Sequence, residues 1–414
     1  MPATAQPLRD AQSNQALIGR QPIFDAHKQV VAYELLFRSS QKNAATVLDE
    51  DQATGDVLVN AFVEIGLEGL VGNKLAFINL TRRFIENEEL IPDAPGQLVL
   101  EILETIVPDA ALIQRVASLA ERGFTIALDD WEEGSNLAPL LPMADIVKVE
   151  LPAIAPEDLP RHVAELKKHN VRLLAEKLET SEEFEQCSRL GFDYFQGYFL
   201  SRPEIVAGKK IQPSQFAALK ILSAASHPNV TLKELEEIVS SDPALSYKFL
   251  RFINSIHLGL RYKVSSIKQA ISMLGINGVR RIVSLLTVAG MCQDKPTELM
   301  RMALIRGQMA MALAEKLKHE EAAAFFTAGL ISLMDAILDT PLSEVLKKLP
   351  LERWVIDGIE NGTGILGTVL ASVKAYEEGK LDQIGIPGLD ASDINDAYWA
   401  AVRTADELDS IAAP

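Results

Sequence analysis

Seven short apolar runs in the first 205 residues each carry, at or near the end, a polar residue that a buried strand would not ordinarily hold. The runs are VVAYELLF (30–37), KLAFINL (74–80), QLVLEIL (97–103), FTIALDD (124–130), DIVKVE (145–150), VRLLAE (171–176) and FDYFQG (192–197). The polar residues are Glu34, Asn79, Glu101, Asp129 with Asp130, Lys148, Glu176 and Gln196, separated by steps of 45, 22, 28, 19, 28 and 20 residues. After the first, each step has room for one strand, one helix and their loops. Intervening stretches such as DAALIQRVASLAERG (109–123) and DLPRHVAELKKHN (158–170) have apolar residues at helical spacing. An eighth run, LIGRQPIF (17–24), is separated from VVAYELLF by the polar gap Asp25–Gln29. That gap predicts a hairpin, and so one antiparallel strand. The pattern predicts a TIM-like (β/α)8 barrel with one antiparallel strand.

In such a barrel the strand ends converge on one mouth. Carboxylates, carboxamides and a lysine would meet there, and so many acids do not stay ionised together without cations. Oxygen donors of this kind imply Mg2+ or Mn2+, as a pair. Two such ions suit in-line attack on a phosphodiester. Taken singly, Asn79, Asp129 or Asp130 could cap a following helix, and Lys148 could lie on the surface with its stem buried. The conjunction favours a shared site, because Glu, Lys and Gln are not usual caps.

The strands stop near RPEIVAGKKIQP (202–213), which marks a domain boundary. Beyond it the chain reads as an all-helical domain. Helices are expected over 213–226, over 231–240 with a Thr231/Glu234 capping box, and over 242–256 with Asp242 as cap before Pro243. Further helices are expected over 276–290, 297–319, 320–338 and 393–408. The formal net charge of −17 argues against a nucleic-acid polymer and against an anionic membrane surface. The two cysteines, Cys187 and Cys292, imply neither a disulfide framework nor a zinc site. With no signal-peptide pattern, the expectation is a cytoplasmic protein.

The motifs YELLFR (33–38), FINLT (77–81), LEILE (100–104), ALDD (127–130), DIVKVE (145–150), AEKLET (175–180) and FQGYFLSRP (195–203) resemble, in order, those of the EAL domain. That family hydrolyses cyclic di-GMP to linear pGpG with Mg2+ or Mn2+. The resemblance implies metal ligands at Glu34, Asn79, Glu101, Asp129 and Glu176, with Asp130 at a second ion. It implies that Lys148 positions or activates the attacking water and that Gln196 supports the site. Glu104 would steady the loop after the aspartates, and Arg38 would contact a substrate phosphate. Residues 227–283 resemble an HDOD domain, a relative of HD phosphohydrolases without their metal ligands. The implied organisation is a flexible N-terminus over 1–16, an EAL domain over 17–205 and an HDOD domain over 206–414, the last contacting a protein partner. A homodimer through the EAL domain is also implied.

The match departs after the paired aspartates. Active EAL enzymes read close to F-G-T-G-Y-S-S there, and this chain has Trp131-Glu132-Glu133-Gly134-Ser135-Asn136. Lys177 stands where a glycine is usual. These departures keep an alternative open: a catalytically silent EAL domain acting as a cyclic di-GMP receptor or as a protein-interaction regulator.

Overall fold

The computed structural model describes residues 16–412 except 40–64, 133, 201–212, 227–229, 255–263, 265, 292–294 and 350. Eight strands close into a barrel in sequence order. They are β1 (Ala16–Phe24), β2 (Val30–Ser39), β3 (Leu75–Leu80), β4 (Leu98–Ile102), β5 (Thr125–Leu128), β6 (Ile146–Glu150), β7 (Arg172–Leu178) and β8 (Tyr194–Gly197). β1 is antiparallel to both of its neighbours, β2 and β8, and every other pairing is parallel. The β1–β2 turn is tied by Asp25, whose carboxylate accepts from the His27 and Gln29 backbone amides.

The period-two alternation of side chains sorts the strand residues into two faces. Ile23, Ala32, Phe77, Val99, Ala127, Ile146 and Leu174 fill the barrel interior as a separate apolar cluster. The outward residues join a second core that runs through the surrounding helices into the C-terminal half. On the described residues the helical ring has a gap. Between β5 and β6 the chain makes the 3-10 segment Ala138–Met143, in which Pro139 and Pro142 supply no backbone N–H for an α-helix.

The C-terminal half is helical. Thr231 forms the expected capping box with Glu234, and Asp242 caps the Pro243–Ile253 helix by accepting from Leu245 N. The helix expected over 320–338 is two helices, Ala322–Ile331 and Met334–Leu338. Ser332 sits at the break, its hydroxyl donating back to Gly329 O at 2.7 Å while Arg306 Nη1 donates to it at 2.9 Å. The expected domain boundary at 205/206 lies outside the described residues. So does the N-terminal segment 1–16 apart from Ala16, which opens β1. Among the described residues no helix is long and apolar enough to cross a membrane.

The two halves meet along β1. The buried Arg20 guanidinium lies 4.3 Å from the Tyr33 ring centroid and 5.7 Å from that of Trp399, in the Ala391–Ala412 helix. Tyr376, from the Gly364–Glu377 helix, donates to Ile18 O at 2.8 Å, and Asn395 Oδ1 accepts from Ile18 N at 3.1 Å. Within the helical half, the Thr297–Lys316 and Ala322–Ile331 helices cross through paired glycines. A Cβ on Gly329 would come within 2.6 Å of Gly307 Cα. Gly329→Ala is therefore expected to destabilise the chain by about 2–3 kcal/mol through overpacking, read as a lower thermal midpoint. An unchanged midpoint would show that this crossing is not tightly packed.

Candidate functional site

The barrel mouth is organised around one buried ammonium. Lys148, from β6, is 1% exposed. Its Nζ lies 2.8 Å from Glu101 of β4, 2.8 Å from Asp129 just beyond β5, 2.9 Å from Glu176 of β7 and 3.8 Å from Glu34 of β2. Asn79, paired with Glu101 across β3–β4, donates from Nδ2 to Glu34 at 3.3 Å. Gln196 of β8 donates to Glu34 Oε2 at 2.6 Å. The site residues read from seven separate strands thus come together at one end of the barrel. Asn79 caps no helix, since the N-cap position of the following helix is Thr81.

Charge does not balance here. Four carboxylates face one ammonium, in a place water scarcely reaches. Burial holds the Glu101 carboxyl well above its usual range, with Glu34 and Asp129 adding to the effect and Lys148 opposing it. Glu176 is pushed up to about 8, by burial first and then by Asp129 and Glu34, against Lys148. Burial alone would depress the Lys148 pKa, but Glu101, Glu176, Glu34 and Asp129 hold it well above the ordinary lysine value.

The donor set is one that a hard divalent cation fits. All its members are oxygens or can present one, and Asn79 Oδ1, Glu101 Oε2 and Gln196 Oε1 are buried without a hydrogen-bond donor. Beside it, carboxylate oxygens of Glu104, Asp129 and Asp130 lie within 4.8 Å of one another. Asp129 belongs to both groups. Asp130 adopts φ 39°, and its carboxyl is raised to about 6 by burial, Asp129 and Glu150.

A cavity of about 280 Å³ opens over these groups. Its wall includes Glu34, Asp129, Asp130, Lys148, Glu176 and Gln196, together with residues that the strand-end pattern does not single out. Gln21 of β1 faces the mouth opposite Glu34 in register. A polar residue on the inward face of LIGRQPIF was the available signal for it. Lys177 also lines the cavity and ion-pairs with Glu150. It brings positive charge toward Asp130 and takes φ 56°, a conformation glycine adopts freely. Tyr198, Met302, Glu377, Glu378 and Gly379 also line the cavity, the last four from the helical half. No local signal in the sequence ties those four to the barrel.

Trp131 is buried and its backbone N–H donates to Lys148 O at 3.0 Å, anchoring the start of the divergent loop. Glu132 is exposed and is not part of the cavity wall, and Glu133 lies outside the described residues. Arg38 pairs with Leu17 in the β1–β2 ladder, and its side chain lies outside the described residues.

Residues 5–203 match the family model of the EAL domain, and residues 213–343 match that of the HDOD domain. The chain is 32% identical to the uncharacterized protein YuxH of Bacillus subtilis, over 93% of this chain and 97% of that protein. It is also 32% identical to the cyclic di-GMP phosphodiesterase CdgJ of Vibrio cholerae, over 99% of this chain and 96% of that protein. Among solved structures, the Bacillus subtilis YkuI protein, with an EAL domain and in complex with substrate c-di-GMP and calcium, is 25% identical. That alignment covers 45% of this chain and 55% of the other, at a TM-score of 0.36.

The raised Glu176 pKa gives stability a pH dependence of definite sign. Between the ordinary value of 4.5 and about 8, the folded chain keeps a proton on Glu176 that the unfolded chain has lost. Stability therefore falls as pH rises through that window. In the presence of a chelator the thermal midpoint is expected to drop by several degrees from about pH 5 to about pH 8, and Glu176→Gln to flatten the slope. An equal slope in the variant would remove Glu176 as its source.

Proposed function

The chain belongs to the family of two-domain proteins that join an EAL domain to an HDOD domain, and on that premise we propose that it is a metal-dependent phosphodiesterase converting cyclic di-GMP to linear pGpG. The observation that carries the proposal is the gathering of Glu34, Glu101, Asp129 and Glu176 within 4 Å of the buried Lys148 ammonium. The likeness along the whole chain to a relative named as a cyclic di-GMP phosphodiesterase supports the same substrate.

Glu34, Asn79, Glu101, Asp129 and Glu176 would hold one divalent ion, and Asp129 and Asp130 with Glu104 close by would hold a second. Mg2+ or Mn2+ there would activate the attacking water and neutralise charge on the phosphodiester. The remaining work belongs to the chain. Lys148 is a fixed cation that aims four carboxyl groups at one point before any ligand arrives, which is electrostatic preorganisation. In the same reading, this ammonium would be freed to position the attacking water once ions take over its carboxylate partners. Gln196 and Asn79 steady Glu34 from two sides through their amide N–H groups. Lys177 offsets negative charge on the side where an anionic substrate enters, and Arg38 is assigned to a substrate phosphate. The helical half serves as a regulatory or protein-interaction module, and homodimerisation through the barrel belongs to the same reading.

The loop Trp131–Asn136 favours a second reading, in which the barrel binds cyclic di-GMP without hydrolysing it. One assay separates the two. Incubation with cyclic di-GMP and Mn2+ is expected to yield pGpG, and Glu34→Ala to lower the rate by about a hundredfold or more. Absence of product from the wild-type chain, with a rise in thermal midpoint on adding cyclic di-GMP and Ca2+, would establish the receptor reading instead.

A further inference from the structure

A continuous run of hydrogen bonds leads from the barrel carboxylates into the helical half. Gln196 Nε2 donates to Glu34 Oε2 at 2.6 Å and to Gln21 Oε1 at 3.0 Å. Gln21 Nε2 donates to the Tyr198 hydroxyl at 2.9 Å, and that hydroxyl donates to the Glu378 carbonyl at 2.7 Å. Each bond fixes the sense of the next. Tyr198 has a single proton, and while Glu378 O takes it, the phenol oxygen can only accept from Gln21. The Gln21 amide is thereby turned with its oxygen toward Gln196, so that the one Gln196 amide nitrogen is held between Gln21 and Glu34 by its two N–H bonds. If the Glu378 carbonyl withdrew, the Tyr198 proton would turn toward Gln21. The amide would then be free to flip, presenting a donor to the donor of Gln196.

The turn that accepts the last bond is held from two directions. Its neighbour Glu377 is bound by Arg306, with Nη2 at 2.6 Å and Nε at 3.1 Å from the carboxylate, and Arg306 also donates to Ser332. On the barrel side Gly379, at φ +65°, presses so closely that a Cβ there would come within 2.3 Å of Leu36 Cδ1 and 3.3 Å of Gln21 Nε2. Movement of the Gly364–Glu377 helix therefore reaches Tyr198 and Gln21 directly.

We propose that Tyr198 is a positioning residue through which the Glu378–Gly379 turn sets Gln196 against Glu34, so that the helical half controls the divalent-ion affinity of the barrel. The proposal rests on Glu34 being a metal ligand, as argued above. A partner that shifts the Gly364–Glu377 helix would change metal loading without touching the mouth. The test uses the full chain and Mn2+ alone, with affinity measured calorimetrically for the wild type, Tyr198→Phe, Gly379→Ala and the double variant. Tyr198→Phe keeps the ring and removes the hydroxyl with its bonds to Gln21 and Glu378. Each single variant is expected to bind Mn2+ about tenfold more weakly, and the double variant no more weakly than the worse single, because both break one path. Wild-type affinity in Tyr198→Phe overturns the proposal, whatever happens to the metal-free thermal midpoint. Effects that multiply in the double variant overturn the shared path. A wild-type chain that binds no Mn2+ removes the functional reading together with this one, whereas wild-type affinity in both single variants removes this one alone.

Discussion

A lysine ammonium held out of water by four carboxylates is the interaction on which the barrel mouth depends. Burying Lys148 without Glu101, Asp129, Glu176 and Glu34 would be prohibitive, and burying those acids without Lys148 would be worse. Neither side is placed for its own stability. The arrangement remains acid-rich even so, as the raised Glu101 and Glu176 carboxyls attest. A fold retains such a cluster when the surplus negative charge has a use.

The barrel supports that cluster with a simple layering. Two residues before each polar group stands an apolar one: Ala32 before Glu34, Phe77 before Asn79, Val99 before Glu101, Ala127 before Asp129, Ile146 before Lys148 and Leu174 before Glu176. The alternation of a strand turns that spacing into a dry plug directly beneath a charged rim. The plug excludes water from below, which is why the charges interact strongly and why the pKa displacements are large.

The barrel and its mouth were legible because both repeat. Each strand carries its own copy of the apolar-then-polar signal, and each copy can be read within six to eight residues. Three things did not repeat. The break at Ser332 depends on Arg306, which reaches it from another helix. The role of Lys177 depends on Glu150 and Asp130, on neighbouring strand ends. The wall formed by Met302 and Glu377 to Gly379 depends on the helical half folding back over β1, and no window of the sequence contains both partners. Gln21 falls between these cases, since its polarity was visible but its strand runs against the others and the mouth lies at the opposite end of the run.

β1 has two clients. Its inward Gln21 and Ile23 complete the mouth and the plug, while its outward Arg20 lies against Tyr33 and Trp399. Tyr376, Tyr398 and Trp399 are buried at or near that seam. A barrel severed from the helices would leave this strand with a bare aromatic-binding flank, and the severed helices would carry a matching sticky aromatic patch. The two modules, separable in sequence, are for this reason one unit of solubility: dividing the gene between them would yield two fragments prone to clump rather than two working parts.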